Sequence, residues 1–279
     1  MLDASRAWRG GGRSIGLVPT MGALHAGHLA LVRAARAEND VVVVSHFVNP
    51  IQFGPDEDFA RYPRDWERDL AAMRRAEVDA VYRPSVEAMY PPEAATRVHV
   101  GGLTEQLEGA ARPGHFEGVA TVVTKLFAAV QPDRAYFGQK DAQQVAAVRR
   151  MVADLDLGVE IRVVPTFREP DGLALSSRNA YLSPEERKAA SAISAALREA
   201  AGAYSSGERD PHRLRALMMA RLGLEPLVEP EYAELVDAAT FQKPGSLAVI
   251  AARVGKTRLI DNHDLSRPFP GQQSLVQYN

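Results

Sequence analysis

Hydrophobic positions up to residue 164 alternate between short β-branched runs and amphipathic stretches with helical spacing. Residues 40–48 are apolar at nearly every position, as expected of a central parallel strand covered by helices on both faces. Residues 27–38 instead place Leu29, Val32 and Ala35 on one side of a helix. Further strands are predicted at residues 14–18, 78–82, 134–137 and 159–164, and further helices at residues 65–77, 118–130 and 142–155. This alternation predicts an α/β fold with a parallel, doubly wound sheet.

The pattern changes beyond residue 165. A long alanine-rich helix is predicted over residues 185–204, with Ser183 as its N-cap and Pro184 at its start. A turn, a second helix and three short strands follow at residues 205–210, 211–222, 232–236, 247–252 and 257–260. Two helices followed by consecutive strands indicate a small α+β domain. We therefore expect one domain over residues 1–167 and a smaller one over residues 168–279.

Composition and charge narrow the class of protein. The chain has 279 residues, of which 46% are hydrophobic and 24% charged, as in ordinary globular proteins. A net charge of −2 and a sequence pI near 6.4 give no basic excess for a nucleic-acid backbone. Without cysteine there is no disulfide, thiolate zinc site or cysteine nucleophile. The longest apolar run is too short for a bilayer, and residues 1–12 lack the apolar core of a signal peptide. We expect a cytoplasmic protein that binds neither membranes nor nucleic acid.

The first candidate site is the sequence PTMGALHAGH at residues 19–28, where the first strand ends and a helix begins. Ligands bind at this edge of an open parallel sheet, and a helix N-terminus favours phosphate. His25 and His28, three residues apart, can point the same way and stabilise phosphate charge, and Gly27 allows a ligand to approach the backbone. Two unrelated histidines are the alternative. A zinc site is less favoured because no third ligand stands nearby.

Two more polar segments follow strands of the predicted architecture. GQKD at residues 138–141 offers Lys140 as a phosphate ligand, and Asp141 as a helix cap or a ribose ligand. LSSRN at residues 175–179 combines hydroxyls and a guanidinium in a loop that can close over phosphates. The alternatives are an ordinary capped turn for the first segment and an exposed polar loop for the second.

Two glutamines that follow buried segments form a fourth candidate site. Gln52 and Gln144 are candidates for binding a substrate carboxylate or hydroxyl, although a surface position is the more common explanation for any single glutamine. Residues 112–116 form another polar turn, whose role the sequence leaves open.

Together these segments resemble the pantothenate synthetase family from about residue 15 through residue 179. The pattern PTMGALHxGH is present at residues 19–28, FVNPxQF at 47–53, RPxHFxGV at 112–119 and SSRN at 176–179. The motif HxGH alone is less specific, since it also marks class I aminoacyl-tRNA synthetases and small adenylyl- and cytidylyltransferases. The order and spacing of four segments carry the resemblance.

The resemblance implies a Rossmann-like domain over residues 1–167, a C-terminal lid domain over residues 168–279, and a homodimer. It implies ATP-dependent condensation of pantoate with β-alanine through a pantoyl-adenylate, with His28 as the acid residue and His25, Lys140 and Arg178 beside it in catalysis. Mg²⁺ is expected to bridge phosphate oxygens with few protein ligands.

Ligand contacts are also implied residue by residue. Pantoate would contact Gln52 and Gln144, and β-alanine would also approach Gln52. The implied ATP-binding residues are Met21, Gly22, Ala23, Leu24, His25, Ala26, Gly27, His28, Gly138, Gln139, Lys140, Asp141, Phe167, Leu175, Ser176, Ser177 and Arg178.

Three positions depart from the family pattern. Gln139 replaces the acid of the usual GEKD, Leu175 replaces the methionine of MSSR, and Phe167 stands where valine is usual. At the first two segments, backbone groups and Lys140 can still bind the nucleotide. Phe167 is expected to crowd or restack the adenine.

Other functions remain open on the sequence. A nucleotidyltransferase acting on a phosphate-bearing acceptor would use the same first motif, but needs a second anion pocket and has less use for Gln52 and Gln144. A tRNA synthetase would need a nucleic-acid surface, which the charge does not favour. A non-catalytic nucleotide-binding regulator is disfavoured because His25, His28, Lys140 and Arg178 are all present.

Overall fold

A computed structural model describes residues 1–270, which form two compact units. The first unit comprises Met1–Gly138 and Gln143–Val164, and the second comprises Gln139–Ala142 and the chain from Pro165 onward. The short Gln139–Ala142 stretch therefore packs with the second unit, although it follows a strand of the first. Residues 271–279 of the predicted C-terminal domain lie outside the described residues.

The first unit is built on a five-stranded parallel sheet. Its strands are β1 (Ile15–Thr20), β2 (Val41–His46), β3 (Ala80–Tyr82), β4 (Arg134–Gly138) and β5 (Glu160–Val164). They lie in the order β3-β2-β1-β4-β5. The direction of winding reverses between β1 and β4, and the crevice beyond such strand ends is where open α/β sheets bind ligands.

Helices cover both faces of this sheet. They are α1 (Leu2–Gly10), α2 (Ala26–Glu38), α3 (Trp66–Arg75), α4 (Val86–Met89), α5 (Glu108–Ala111), α6 (His115–Val130) and α7 (Ala142–Asp154). Short 3₁₀ helices span Pro50–Gln52 and Gln139–Asp141.

The valines of β2 show why this strand is apolar throughout. Val42 and Val44 belong to the core shared with α2 and α3, whereas Val41 and Val43 belong to the core shared with α6 and α7. Alternate side chains of a strand point to opposite faces, and all four valines are fully buried. The predicted doubly wound sheet is confirmed.

The second unit combines helices with a three-stranded antiparallel sheet. Its helices are α8 (Pro184–Ala189), α9 (Ser191–Ser205) and α10 (Pro211–Gly223), and a 3₁₀ helix spans Ser177–Tyr181. Its strands are β6 (Val228–Val236), β7 (Leu247–Val254) and β8 (Thr257–Asp264), in that order. Leu197 of α9 and Met218 of α10 share a core with Ile250 of β7. This is the α+β arrangement that the sequence predicted.

The helix predicted over residues 185–204 is divided between α8 and α9. Its start is as expected, because Ser183 and Glu186 form a reciprocal capping box. Near Ala190 the hydroxyl of Ser191 donates to the Lys188 carbonyl at 2.8 Å, and that of Ser194 donates to the Ser191 carbonyl at 3.0 Å. Such hydroxyl bonds compete with the backbone ladder and disturb the helix.

The N-terminal helix α1 was not predicted, because glycines stand at positions 10–12 and charged residues at Asp3, Arg6 and Arg9. Trp8 and Met1 pack against the core on the α6 face of the sheet and anchor this helix. Among residues 1–270, no helix combines the length and apolar character needed to cross a membrane.

Candidate active site

The turn between β1 and α2 depends on two residues with left-handed backbone conformation. Gly22 has φ 82° and Ala23 has φ 52°. A Cβ atom at Gly22 would lie 2.6 Å from Nε2 of His46, so both conformation and space require glycine there. The N–H of Gly22 donates to Oγ1 of Thr20 at 3.3 Å. The motif therefore folds as a tight turn that leads directly into α2.

His25 and His28 lie together at the start of α2. His25 is the N-cap residue, and its N–H donates to Nδ1 of His28 at 3.3 Å. The His25 side chain accepts in return from the His28 N–H, and the two ring centroids are 4.0 Å apart. The two imidazoles thus occupy the helix N-terminus, where backbone N–H groups and the helix dipole favour an anion.

This turn is stabilised by the buried side chain of Asp69, which the sequence analysis did not single out. Asp69 of α3 accepts from the N–H groups of Ala23 and Leu24, each at 2.8 Å. Its Oδ2 also lies 3.0 Å from Nε2 of His46 at the end of β2. Asp69 is 1% exposed, so these partners take the place of water around its carboxyl group. The left-handed turn before His25 is fixed by this carboxylate.

Gln52 is a buried residue of the 3₁₀ helix after β2, not a surface glutamine. Its Oε1 accepts from Nδ2 of Asn49 at 2.9 Å, and its Nε2 lies 3.1 Å from Sδ of Met21. Asn49 is held by the Gly118 carbonyl at 3.0 Å and by the Tyr90 hydroxyl at 2.8 Å. These contacts set the orientation of the Gln52 amide beside the His25 turn.

The polar turn at residues 112–116, whose role the sequence left open, fixes the backbone of Gln52. Arg112 forms a bidentate pair with Glu57, with both N–O distances at 2.7 Å. Its Nη1 donates to Nε2 of His115 at 3.0 Å, and Nδ1 of His115 donates to the Gln52 carbonyl at 2.9 Å. Because arginine can only donate, this network defines a neutral His115 protonated at Nδ1.

Burial, reinforced by the nearby Arg112 charge, lowers the pKa of His115 to about 4. An unfolded histidine titrates near pH 6.5, so between about pH 6.5 and 4 the unfolded chain binds more protons than the folded one. We therefore expect His115 to reduce the free energy of unfolding by up to about 3 kcal/mol as the pH falls through this window.

Urea unfolding of the wild type and of His115→Asn between pH 7 and pH 4 measures this effect. Asparagine retains an N–H donor for the Gln52 carbonyl but does not titrate. The wild type should lose stability more steeply than the variant as the pH falls, and parallel pH profiles would contradict the assignment.

In the second unit, Lys140 lies on the 3₁₀ turn Gln139–Asp141. Its ammonium group forms an ion pair with Asp141 at 3.1 Å, and its side chain is 19% exposed. The Gln139 amide donates to Oδ1 of Asn262 at 3.2 Å. Gln139, which replaces the acid of the family's GEKD pattern, therefore forms a side-chain hydrogen bond within the protein.

A short hairpin leads into the predicted anion-binding loop. Arg168 and Ala174 pair as an isolated antiparallel bridge, and the Leu175 N–H donates to the Phe167 carbonyl at 2.8 Å. Ser176 then caps the following 3₁₀ helix by accepting from the Arg178 N–H at 3.2 Å. Phe167 and Leu175 thus face each other across the hairpin end, and Ser177 and Arg178 begin the next turn.

The predicted site residues fall into one group in each unit. In the first unit the structure brings Met21 through His28 together with Gln52, and it places Gly138 at the end of β4 and Gln144 in the first turn of α7. In the second unit Gln139, Lys140 and Asp141 share a unit with Phe167 and residues 175–178. Within residues 1–270, no group of three or more histidine, aspartate or glutamate side chains is arranged to hold a metal ion.

Comparison with known families decides the family. A sequence model described as pantoate-beta-alanine ligase matches residues 1–264. The chain belongs to the pantoate-β-alanine ligase family. It is therefore a ligase of pantothenate biosynthesis, and the resemblance seen in its motifs is confirmed.

Individual pantothenate synthetases are similar to this chain over most of their length. The chain is 58% identical to pantothenate synthetase of Chloroflexus aurantiacus over 254 residues, covering 89% of this chain and 90% of that protein. The crystal structure of pantothenate synthetase from Thermus thermophilus is 51% identical with a TM-score of 0.88, covering 90% of this chain and 93% of that one. Pantoate-β-alanine ligase from Francisella tularensis, crystallised in complex with beta-gamma ATP and β-alanine, is 34% identical with a TM-score of 0.78, covering 95% and 96%. The Rossmann-like fold prediction is confirmed.

Proposed function

We propose that this chain condenses pantoate with β-alanine, using ATP to form a pantoyl-adenylate and releasing AMP and pyrophosphate. The observation that carries the proposal is the paired His25–His28 turn at the N-terminus of α2, in a chain that belongs to this ligase family. The Francisella tularensis relative, crystallised in complex with beta-gamma ATP and β-alanine, supports ATP as the activating substrate.

In the first step a pantoate carboxylate oxygen attacks the α-phosphorus of ATP in line. A carboxylate oxygen–phosphorus bond forms while the bond from the α-phosphorus to the bridging oxygen breaks, and pyrophosphate leaves with the electron pair. Such a displacement needs positioning and charge stabilisation rather than a protein nucleophile. His25 and His28 would donate hydrogen bonds to phosphate oxygens, assisted by the N–H groups of the turn from Met21 to Gly27.

Phosphate contacts are also proposed for residues of the second unit. Lys140 and Arg178 would stabilise the charge of the transferring and leaving phosphates, with Ser176 and Ser177 as hydrogen-bond donors. A phosphate group would replace Asp141 as the partner of the Lys140 ammonium. Further nucleotide contacts are proposed at Gly138, Gln139, Asp141, Phe167 and Leu175.

Pantoate recognition is proposed for Gln52 and Gln144. The Gln52 amide is held by Asn49 and lies against Met21, so its orientation is set before a substrate arrives. In the second step the β-alanine amine, approaching Gln52, attacks the pantoyl carbonyl. The carbon–nitrogen bond forms, the bond from the carbonyl carbon to the AMP oxygen breaks, AMP leaves with the electron pair, and the nitrogen gives up a proton to solvent.

Mg²⁺ would enter as part of the substrate MgATP. Mg²⁺ bound to substrate phosphates usually keeps several waters and takes few protein ligands, so phosphate oxygens and water would supply most of its ligands. The homodimer, the cytoplasmic location and the lid role of residues 168–279 stay predictions.

The nucleotide product tests the proposed route. Incubation with ATP, pantoate and β-alanine should yield AMP and pyrophosphate in equal amounts, because the displacement occurs at the α-phosphorus. Anion-exchange chromatography separates AMP from ADP. ADP with inorganic phosphate as the products would exclude the acyl-adenylate.

A further inference from the structure

Two adjacent polar residues of β8 are buried within the second unit. Asp261 is 3% exposed and Asn262 is 4% exposed. A buried carboxylate or amide is destabilising unless its hydrogen-bonding groups are satisfied. Each of these side chains bonds to a different segment that carries proposed phosphate ligands.

Asn262 holds the turn that carries Lys140. Its Nδ2 group donates to the carbonyl of Gln139 at 3.0 Å and to the carbonyl of Lys140 at 2.8 Å. Its Oδ1 accepts from the Gln139 side chain at 3.2 Å. An amide supplies two N–H donors and one acceptor oxygen, so both donors and the acceptor are used here. These bonds fix the backbone from which the Lys140 side chain projects.

Asp261 holds the hairpin that leads into residues 175–178. It forms a bidentate pair with Arg168, with N–O distances of 2.5 and 2.9 Å. Arg168 also donates to the Gly172 carbonyl at 3.1 Å and so closes the hairpin tip against its base. Gly172 has φ 95°, and a Cβ there would lie 2.8 Å from Oγ of Ser194, so both conformation and space favour glycine at the hairpin tip.

We infer that Asp261 and Asn262 are positioning residues for the nucleotide, acting together as a strand clamp. Because they are neighbours on one strand, they fix the spacing between the Lys140 turn and the hairpin before Ser176. Both residues act through the protein segments that they hold. The inference rests on the proposed phosphate-binding role of Lys140, and deepens it by explaining how the ammonium group is placed.

Asn262→Asp is the sharpest single change, because it keeps the side-chain shape and replaces the donating NH₂ group with an acceptor oxygen. That oxygen faces the two carbonyls of the turn, so the Lys140 backbone should move. Displacement by about 1 Å can lower catalysis by up to about 10²-fold. We expect kcat/KM for ATP in pantoate-dependent ATP–pyrophosphate exchange to fall by about 10- to 100-fold. The KM for pantoate should change by less than about twofold, since Gln52 in the first unit is untouched.

Two further variants separate positioning from general loss of stability. Ser246→Ala removes a hydrogen bond from the Ser246 hydroxyl to Asp264, which lies on β8 as Asn262 does but is not bonded to the Lys140 turn. This variant should exchange pyrophosphate at the wild-type rate. If Asn262→Asp does not fold, as judged by circular dichroism, Asn262→Ser takes its place, because serine keeps one donor and adds no charge.

A double-mutant cycle with Lys140→Ala decides the inference. If Asn262 acts through Lys140, the double variant should be no slower than Lys140→Ala alone, within about twofold. If the rate loss of the double variant equals the product of the losses in the two single variants, the inference is overturned. A folded Asn262 variant with wild-type kcat/KM for ATP would also overturn it. Lys140→Ala without effect would overturn it as well. Wild-type exchange in the same assay tests the proposed function separately.

Discussion

Replacing His28 with alanine is expected to lower the rate of pantoate-dependent ATP–pyrophosphate exchange by at least about 10²–10³-fold. The loss of one preorganised donor at a site of developing charge has an effect of this size. Nδ1 of His28 accepts from the His25 N–H and completes the cap of α2, so we assign the phosphate contact to Nε2. The assay measures exchange of labelled pyrophosphate into ATP at saturating substrates.

Because His28 has a structural role as well, His28→Asn is the matched variant. An asparagine oxygen can accept from the His25 N–H much as Nδ1 does, but asparagine has no equivalent of Nε2. It should restore most of the stability lost in His28→Ala, about 1 kcal/mol by thermal unfolding, without restoring exchange. His99→Ala, at a histidine whose side chain is 61% exposed, should leave exchange unchanged. Exchange near the wild-type rate in His28→Ala would contradict the phosphate role.

Replacing Lys140 with alanine is expected to reduce exchange by a similar factor, at least about 10²-fold. The Lys140 ammonium group is the positive charge of the Gln139–Asp141 turn, where a phosphate is proposed to bind. Its ion pair with Asp141 is partly exposed, so removing the pair should cost less than about 1 kcal/mol of stability. The effect should therefore appear in kcat and in the KM for ATP, and not in thermal unfolding.

Lys256→Ala is the control for this prediction. Lys256 lies in the exposed turn between β7 and β8 of the same unit, and its removal changes the net charge equally. It should retain wild-type exchange. Equal losses in both variants would indicate a general effect of charge, and unchanged exchange in Lys140→Ala would remove this residue from the site.

Local patterns in the sequence were enough to predict the elements that carry the site. The apolar run of β2, the helical spacing of α2 and the Ser183 N-cap of α8 depend on near neighbours, and each forms as expected. The helix break at Ala190 was missed because serine hydroxyls bond to carbonyls three residues earlier. Such a choice between side-chain and backbone bonds is not visible in hydrophobic periodicity.

The buried residues that hold the site in place were not predicted from the sequence. Asp69 bonds to backbone groups 45 and 46 residues away, and Asn262 bonds to carbonyls 122 and 123 residues away. Polar residues at these positions indicated a helix surface and the end of a strand. In the structure β8 continues through Asp264, because Asp261 and Asn262 are buried and bonded. Contacts between distant segments leave no local signal, apart from polar residues inside an otherwise apolar pattern.

The most direct test of the account is ATP–pyrophosphate exchange by the wild-type protein with and without pantoate, in the absence of β-alanine. An acyl-adenylate forms reversibly from ATP and pantoate alone, so labelled pyrophosphate should enter ATP only when pantoate is present. Exchange that does not depend on pantoate, or no exchange when pantoate is added, would contradict the proposed mechanism.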